Sequence, residues 1–447
     1  MNSCVFFNKR LSLSISIYLS FIILLNQSVL AQDVTSRIPE TVIPASVGVN
    51  IHFVTGGAKD LDMISEIGFK HIRMDMFWNR IEKVKGKYDW SSYDTLIAEL
   101  DQRNIGALFI LDYNNSLYTD NGLNWGPNNN ANIEAYKKWA VAAVKHFKGH
   151  NIIWEIWNEP NNRAFWRPYP NAAQYTKLAF TTCKAIHNAD PSATIIAPAM
   201  VHFGWGFIDT LFQSGILKFL SAVSVHPYRD GPPPLMPETA ASDFIKLKSL
   251  ILQYAPDGKK IPVISGEWGY SSCLTNRGVP LQTQADYFAR MQLFNLYLGL
   301  PLSIWYDWKN DGTSLLTIGQ NRGLVTSDLK PKPLYYAAKV FLHELSGYYV
   351  SGRINTKNDS DVVLILKNTS GSVKAAVWTE GKSHNITLKL SVLSIPDTLE
   401  KIFWIDGNAK SGKLKINAGR FTDKISGTPK YYSILPTVPI SIIKTFY

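Results

Sequence analysis

The feature that most constrains the fold of this chain is a series of short apolar runs between residues 46 and 308. Each run lacks an internal turn signal and is rich in Val, Ile and aromatic residues, which is typical of parallel strands buried on both faces. Eight runs are present: SVGVNIHF (46–53), KHIRMDMFW (70–78), IGALFILDY (105–113), NIIWEIWNE (151–159), ATIIAPAM (193–200), LSAVSVHPY (220–228), IPVISGEWG (261–269) and LPLSIWYDW (300–308). We therefore predict eight buried strands.

The stretches between these runs have a helical period. Residues 58–68 place apolar side chains at positions 61, 63, 64 and 67, and later connections such as 133–149 and 282–299 repeat the pattern. Eight strands, each followed by a helix, predict a (β/α)8 TIM barrel, an α/β fold. An open doubly wound sheet is the alternative, but no Gly-rich phosphate-binding turn follows the first strand.

The character of the chain changes after Gly347. Residues 348–447 hold alternating runs such as DVVLILKN and HNITLKLSVL, separated by turns of Gly, Asn, Asp and Ser. This pattern predicts a small C-terminal antiparallel β-sandwich domain after the barrel of residues 32–347. Because the join is short, we expect the sandwich to pack on the barrel.

The N-terminus has the parts of a secretory signal peptide, which we assign to residues 1–31. Lys9 and Arg10 form a basic region, residues 11–25 are apolar apart from a few Ser, and the sequence VLA offers cleavage after Ala31. A single-pass anchor is the alternative, but the run is short for a span. We predict a secreted or periplasmic protein with no stable membrane span after signal removal.

The charge and the cysteines exclude some classes of protein. The net charge is +11, from 46 Lys and Arg against 35 Asp and Glu, but the basic residues are scattered. We therefore expect no nucleic-acid partner, while an acidic polysaccharide is compatible with the charge.

After the signal only Cys183 and Cys273 remain, and nothing in the sequence requires them to pair. No metal-binding pattern is present, so we predict no metal and no cofactor.

Polar residues close several of the apolar runs. Because the working residues of a barrel stand at the C-terminal ends of its strands, these residues are candidates for a site. The candidates are His52, Arg73, Asn158, Glu159, His226, Tyr228, Glu267 and Trp305. Two of them are carboxylates among aromatic residues, Glu159 at the end of the fourth run and Glu267 at the end of the seventh.

Two carboxyl groups, one protonated and one ionised, are what hydrolysis of a glycosidic bond requires. A Glu at the mouth of an apolar barrel tends to have a raised pKa and to stay protonated. The ionised partner needs hydrogen-bond donors, for which Arg73 and Tyr228 are the candidates. The alternative for Glu159 is a strand-end carboxylate that caps the next helix.

The motifs WNEPN in the fourth run, HPY in the sixth, GEWG in the seventh and IWYDW in the eighth resemble clan A of the retaining β-glycoside hydrolases. Family 5 (cellulase-like) and family 39 belong to this clan. The resemblance covers residues 46–347, and GVNIHF and FKHIRMDMFWNRIE look most similar to family 39. It implies that no cofactor is needed.

The resemblance also implies a role for each matched residue. Glu159 would be the general acid/base and Glu267 the nucleophile, held ionised by Tyr228 and Arg73. Asn158 would bond the sugar 2-hydroxyl. His226 would lie against the acid/base or the sugar, and Trp305 would form the floor of the subsite.

Several further residues have two readings. By strand parity Glu155 points into the barrel, and we predict that it pairs with a buried cation such as Arg73. His52 could contact a ligand or pack. Two roles are possible for Asp75, Asp112 and Asp307: each could bind sugar hydroxyls or hold a loop. Two roles are also possible for Trp125, Trp166 and Trp205: each could line the cleft or pack in the core. The Asn-rich loop 114–130 would shape one end of the cleft.

The main hypothesis is a monomeric, secreted retaining β-glycosidase whose partner is a β-linked glycan, with a polymer favoured over a terminal sugar. A non-catalytic carbohydrate-binding protein on the same barrel is the alternative. The sandwich could itself bind glycan through Trp378, Trp404 and Tyr447, although strand patterning favours packing of the two Trp. The sugar, the linkage and the host stay open.

Overall fold

The computed structural model describes residues 36–435, so the predicted signal peptide lies outside the described residues. The eight predicted strands form a closed parallel barrel in which each strand pairs with the next and the eighth returns to the first. The strands are β1 (Val47–Asn50), β2 (His71–Phe77), β3 (Gly106–Asp112), β4 (Ile152–Ile156), β5 (Thr194–Val201), β6 (Ala222–His226), β7 (Val263–Trp268) and β8 (Ser303–Trp305). The predicted TIM barrel is confirmed.

Helices connect the strands and cover the outside of the barrel. They are α1 (Ala58–Ile67), α2 (Trp78–Ile81), α3 (Ser91–Gln102), α4 (Asn130–His146), α5 (Ala172–Ala189), α6 (Trp205–Gln213), α7 (Ala241–Tyr254), α8 (Leu281–Tyr297) and α9 (Pro333–Glu344). Their apolar faces and the outward side chains of the strands form one large buried cluster. Among residues 36–435, no helix combines the length and the apolar character that crossing a membrane would require.

A separate, smaller apolar cluster comes from alternate positions of the barrel strands and fills the barrel interior. Its buried members are Leu108, Ile110, Ile153, Ile196, Ala222, Ile264, Leu302 and Ile304. Because side chains alternate along a strand, residues two positions beyond an interior side chain point into the C-terminal mouth of the barrel. This period of two decides which residues can reach the site.

The chain after α9 forms two antiparallel sheets. Their strands are β9 (Tyr348–Ile354), β10 (Asp361–Asn368), β11 (Val373–Thr379), β12 (His384–Lys389), β13 (Lys401–Asp406), β14 (Ser411–Lys415), β15 (Arg420–Ile425) and β16 (Lys430–Ser433). One sheet has six strands in the order β14-β13-β16-β11-β10-β9, and the other pairs β12 with β15. A second apolar core, with Val377, Ile386 and Phe421 among its members, lies between the sheets, as expected for a sandwich.

The other face of the six-stranded sheet packs on the barrel. Val362, Leu364 and Trp378 belong to the same buried cluster as the barrel helices, so the predicted packing of the sandwich on the barrel is confirmed. The indole N–H of Trp378 donates to Glu238 Oε1 at 2.9 Å, and Arg290 donates to both oxygens of the same carboxylate.

Burial tests whether the aromatic residues of the sandwich could bind glycan. Trp378 is fully buried, so its predicted role in packing is confirmed. Trp404 is partly buried against the sandwich core, with Lys430 Nζ 4.3 Å from its ring centroid. Tyr447 lies outside the described residues. Cys183 and Cys273 are both buried and unpaired.

Candidate active site

A cavity of about 440 Å³ opens at the C-terminal ends of the barrel strands. Six of the residues singled out in the sequence line it: His52, Arg73, Asn158, Glu159, Tyr228 and Glu267. His226 lies directly behind this lining, in contact with Glu159 and Arg73. The cavity therefore gathers side chains from β1, β2, β4, β6 and β7 at one place.

Glu159 reaches the cavity because the chain turns sharply where β4 ends. Trp157 and Glu159 both have positive φ angles, 65° and 44°, and the Glu159 N–H donates to the carbonyl of Ala199 on β5 at 2.9 Å. The Trp157 indole is buried, and its N–H donates to the carbonyl of Phe165. Glu159 does not cap the next helix, since Asn171 performs that role.

The carboxyl group of Glu159 has neutral neighbours. Its Oε1 lies 3.0 Å from His226 Nδ1, and its Oε2 accepts a hydrogen bond of 2.7 Å from the side-chain amide of Asn162. Burial raises the pKa of Glu159 above its usual value, although Asn162 and the more distant charge of Arg73 pull it down. The surroundings of Glu159 thus favour its protonated form more than water would.

His226 is fully buried, and burial lowers its pKa to about 4, so the imidazole is neutral near pH 7. Its Nε2 lies 3.2 Å from a guanidinium nitrogen of Arg73, which can only donate. The proton of the neutral ring must therefore be on Nδ1, which donates it to Glu159 Oε1. Arg73 in this way determines the tautomer that faces Glu159.

Glu267 reaches the cavity through a β-bulge. Ser265 pairs with Ser303 and Trp268 pairs with Trp305, so β7 has one more residue than β8 between these two pairs. An extra residue shifts the alternation of side chains along the strand. Ile264 belongs to the interior cluster, so strict alternation from it would point Glu267 away from the mouth. The bulge points it inward instead.

The carboxylate of Glu267 has charged and polar donors. Arg73 donates to its Oε2 at 2.6 Å, and the hydroxyl of Tyr228 donates to its Oε1 at 2.5 Å. Burial and the adjacent Glu267 charge raise the pKa of Tyr228 well above its usual value, so its hydroxyl stays protonated. The guanidinium of Arg322 lies 4.7 Å from the Tyr228 ring centroid. Glu267 thus accepts hydrogen bonds from a cation and from a phenol hydroxyl.

Arg73 is the centre of the polar network. Its five N–H groups, the full complement of a guanidinium, have acceptors in Asn50, Glu155, Asn158, His226 and Glu267. Burial works against its charge, but the carboxylates of Glu155 and Glu267 outweigh burial and raise the pKa of Arg73. The predicted pairing of Glu155 with Arg73 is confirmed at 2.8 Å, with both side chains buried.

The two carboxyl groups face each other at short range. An oxygen of Glu159, Nδ1 or Nε2 of His226 and an oxygen of Glu267 all lie within 4.8 Å of one another. A second group with the same property consists of His52, Asp307 and Asp311. Either group could hold a metal by distance alone, but a cation at the first would compete with Arg73 and Tyr228 for Glu267.

Trp305 is not where we placed it in the sequence. Its ring is fully buried on the outside of the barrel, 5.5 Å from Phe288 of α8, and its N–H donates to the carbonyl of Arg322. The residue that lines the cavity from this strand is Tyr306. The reason is the alternation along β8: Ile304 points into the barrel, so Tyr306 does too and Trp305 points out.

Some of the residues for which the sequence left two roles open line a cavity, and others lie in the core. Asp75 and His52 line the cavity, and His52 Nε2 also lies 3.6 Å from Asp307. Asp112 and Asp307 are fully buried. Burial is the main reason that the pKa of each is well above its usual value, and a neighbouring carboxylate raises it further. Trp166 is fully buried, Trp205 is partly buried beside Phe203, and Trp125 lines a second cavity.

Three further cavity residues were missed by reasoning from the sequence. Asn162 contacts Glu159 and follows it by three residues, so the repeated Asn after WNEP was an available signal. Tyr306 could have been found from strand parity. Arg322 lies in the loop between β8 and α9, and only the folded chain brings it beside Tyr228.

Comparison with known proteins identifies the family of the barrel. The model of the family described as cellulase, glycosyl hydrolase family 5, matches residues 42–312, which is more than half of the chain. A β-xylosidase from Geobacillus stearothermophilus is 35% identical over 75 residues, a stretch that covers 14% of this chain and only 15% of that enzyme.

Solved structures share the fold at low sequence identity. A family 39 glycoside hydrolase from Bacteroides cellulosilyticus WH2 is similar with a TM-score of 0.77 and 24% identity, covering 88% of this chain and 81% of that chain. A family 39 β-xylosidase from Caulobacter crescentus has a TM-score of 0.64 and 15% identity, covering 88% and 96%. A family 30 xylanase from Clostridium acetobutylicum has a TM-score of 0.61 and 14% identity, covering 89% and 98%.

The barrel, the strand-end carboxyl pair and the family match lead to one conclusion. The chain belongs to the cellulase family, glycosyl hydrolase family 5, and is a clan A glycoside hydrolase.

Proposed function

We propose that this protein is a retaining β-glycosidase with Glu159 as the general acid/base and Glu267 as the nucleophile. The observation that carries the proposal is the short separation of the two carboxyl groups, whose nearest oxygens lie within 4.8 Å. Retaining enzymes hold their carboxyl groups about 5–5.5 Å apart, whereas inverting enzymes leave about 6.5–9.5 Å for a water molecule. The short approach of the two carboxyl groups in this chain supports the retaining arrangement.

The first step forms a covalent glycosyl-enzyme. An oxygen of the ionised Glu267 attacks the anomeric carbon from the face opposite the leaving group, and the glycosidic C–O bond breaks. Glu159 gives its proton to the departing oxygen, so the leaving sugar departs as a neutral alcohol and Glu159 becomes a carboxylate. The neutral His226 and the amide of Asn162 then solvate the new negative charge.

The second step returns the enzyme to its starting state. Glu159 takes a proton from a water molecule, whose oxygen attacks the anomeric carbon while the bond to Glu267 breaks. The sugar leaves with its original β configuration, Glu267 is ionised again and Glu159 is protonated again. Arg73 and Tyr228 stabilise the carboxylate of Glu267 both before attack and after release.

Asn158 is the proposed partner of the sugar 2-hydroxyl. Its Oδ1 already accepts from Arg73 at 2.8 Å, and its Nδ2 donates to the hydroxyl of Tyr113 at 3.1 Å. The amide is therefore held in one orientation at the cavity wall, with one N–H still available to a ligand. A hydrogen bond to the 2-hydroxyl strengthens as positive charge develops on the sugar ring.

The proposed substrate is a β-linked glycan, with cleavage inside a polymer favoured over removal of terminal sugars. The polymer is supported by the predicted signal peptide and by the second cavity beside the first. We propose that the mature protein begins after Ala31, acts outside the cytoplasm and works as a monomer. The names of the similar β-xylosidases and xylanase make xylans the first polymers to test.

The test is hydrolysis of a panel of β-linked xylans, glucans, mannans, galactans and polyuronates, with product configuration followed by NMR. We expect release of new reducing ends and an initial product in the β configuration. An initial α product would contradict the retaining mechanism. Specific binding of a glycan by a folded protein that hydrolyses neither polymers nor aryl β-glycosides would support the non-catalytic alternative.

A further inference from the structure

A second cavity, of about 460 Å³, lies beside the catalytic one and has a different chemical character. It is lined by Trp125, Arg163, Ala164, Arg167 and Pro168. Its volume is in the range of ordinary ligand sites, about 300–1,000 Å³. No carboxylate is among the lining residues, whereas the catalytic cavity includes Glu159, Glu267 and two Asp.

The two cavities share one wall, the loop between β4 and α5. Asn162 and Phe165 of this loop line the catalytic cavity, and residues 163, 164, 167 and 168 line the second one. A glycan held at Glu159 could therefore continue over the loop into the second cavity. The position is that of a remote subsite for the same chain of sugars.

The loop after β3 contributes Trp125 to the second cavity and is hydrogen-bonded to the shared wall. The side-chain amide of Asn124 donates to the carbonyl of Ala164 at 2.8 Å, and the backbone N–H of Arg167 donates to the carbonyl of Asn124 at 2.8 Å. A further bridge pairs Trp125 with Arg167. These backbone and amide contacts tie the segment that carries Trp125 to the loop that carries both arginines, and all three residues line the second cavity.

The two arginines differ from most others in the molecule. Six arginines of the described chain form ion pairs with carboxylates: Arg73, Arg103, Arg229, Arg277, Arg290 and Arg322. Within residues 36–435, Arg163 and Arg167 form no such pair. Arg163 instead lies 4.7 Å from the ring centroid of Tyr169, a side chain that is itself exposed. Two neighbouring guanidinium groups thus stay without a counter-charge.

We infer that the second cavity is a subsite for a uronic acid residue of the glycan substrate, a sugar that carries a carboxylate. The sugar ring would stack on Trp125, since an aromatic face matches the apolar face of a pyranose. The carboxylate would pair with Arg163 and Arg167, because the planar fork of a guanidinium matches a carboxylate in two parallel hydrogen bonds. This inference rests on the proposed function only in assigning both cavities to one glycan.

The experiment measures glycan binding to the full protein with Glu267→Gln, which prevents turnover. The probes are β-1,4-linked polyglucuronate and polymannuronate, each beside its carboxyl-reduced form, which keeps the linkages and loses the charge. We expect at least one polyuronate to bind more tightly than its reduced form by about tenfold, the scale of hydrogen bonds to a charged group. Arg163→Gln with Arg167→Gln should remove that preference.

Two further variants separate charge, stacking and unspecific effects. Arg420→Gln, at an exposed position of β15 in the sandwich, removes one positive charge outside the second cavity and should leave the preference intact. Trp125→Ala should weaken both the charged and the reduced polymer, because stacking does not depend on the carboxylate. Equal binding of each polyuronate and its reduced form, or equal losses in the Arg163/Arg167 and Arg420 variants, would overturn the inference.

Hydrolysis by the protein with Glu267 intact is scored separately. A charge preference that depends on Arg163 and Arg167, in a protein that hydrolyses none of the panel, would keep the subsite and remove the proposed reaction. Hydrolysis of neutral glycans without any charge preference would keep the reaction and remove the subsite.

Discussion

The fourth-strand side and the seventh-strand side of the catalytic cavity present the same functional group in opposite surroundings. On the seventh-strand side, Glu267 accepts from a permanent cation, Arg73, and from the hydroxyl of Tyr228. On the fourth-strand side, Glu159 faces a neutral imidazole and an amide, and burial raises its pKa. Two identical carboxyl groups thus have hydrogen-bond partners of different charge, which suits the opposite roles that we propose for them.

Arg73 generates most of this difference. It donates directly to Glu267, whereas its hydrogen-bond connection to Glu159 runs through the ring of His226. The charged guanidinium therefore lies directly against Glu267. Glu159 instead faces the neutral imidazole of His226, whose tautomer the guanidinium determines. Changes on the two sides should have distinguishable consequences.

The largest effect is expected from removing the proposed nucleophile. Glu267→Ala should lower turnover of an aryl β-glycoside by about a thousandfold or more, as loss of a catalytic group commonly does. Added azide should restore activity and give the α-glycosyl azide, because it enters the space of the lost carboxylate and attacks from that face. Product NMR measures this, and a β-azide would reverse the assignment of the two sides.

Removing the proposed acid/base should have an effect that depends on the leaving group. Glu159→Ala should slow glycosides with poor leaving groups by about 10²–10⁴-fold, the usual contribution of a general acid. Dinitrophenyl glycosides, which need no proton, should lose less in their first step, and azide should give the β-azide. Kinetics with a series of leaving groups measures this. A loss that is the same for every leaving group would argue against proton donation by Glu159.

Loss of the shared cation should appear mainly as loss of stability. Arg73→Met leaves the buried Glu155 without its partner, which should cost about 3–5 kcal/mol in the free energy of unfolding. Chemical denaturation measures it. The matched control is Arg103→Met, whose ion pair with Asp62 is more exposed and should cost at most about 1 kcal/mol. Equal costs would mean that Arg73 is not the centre of the network.

A smaller, one-sided effect is expected at Tyr228. Tyr228→Phe removes one hydrogen bond to the Glu267 carboxylate and should lower kcat/KM by about 10–100-fold, with little effect on folding. Tyr254→Phe is the control, because its hydroxyl donates to Asp209 away from the cavity. A loss of the same size in the control would show that the effect of Tyr228 is not specific to Glu267.

The smallest effect is a shift in pH dependence on the fourth-strand side. Asn162 donates to the charged form of Glu159 and so lowers its pKa. Asn162→Ala should raise that pKa further, so the proton donor persists to higher pH. The alkaline limb of the kcat/KM profile should then move up by less than about one pH unit. A downward movement would contradict the assignment of Glu159 as the acid.

Much of the site was predictable because strand ends carry their own signal. The run WNEPN combined a buried strand with an amide, a carboxylate and a proline, and GEWG supplied the second carboxylate. The alternation of side chains along β4 predicted that Glu155 points into the barrel, and there it pairs with Arg73. The same rule, applied to β8, favours Tyr306 over Trp305 as the cavity residue, so the error at Trp305 was avoidable.

Other parts could not be predicted because they depend on how strands and loops meet. Strict alternation along β7 would point Glu267 outward, and only the bulge against β8 corrects this. Arg322 reaches Tyr228 from a loop whose path no local pattern defines. The pairing of the loops after β3 and β4, which forms the second cavity, likewise brings together residues about 40 positions apart.

The sequence by itself determined the barrel, the sandwich and the two strands that carry the carboxyl pair, because buried strands and helices differ in their apolar period. The tertiary structure alone decided what surrounds each carboxyl group: a cation and a hydroxyl at Glu267, and a neutral ring and an amide at Glu159. Proton affinity depends on charges and donors within a few ångströms, and closure of the barrel brings these together from distant parts of the chain.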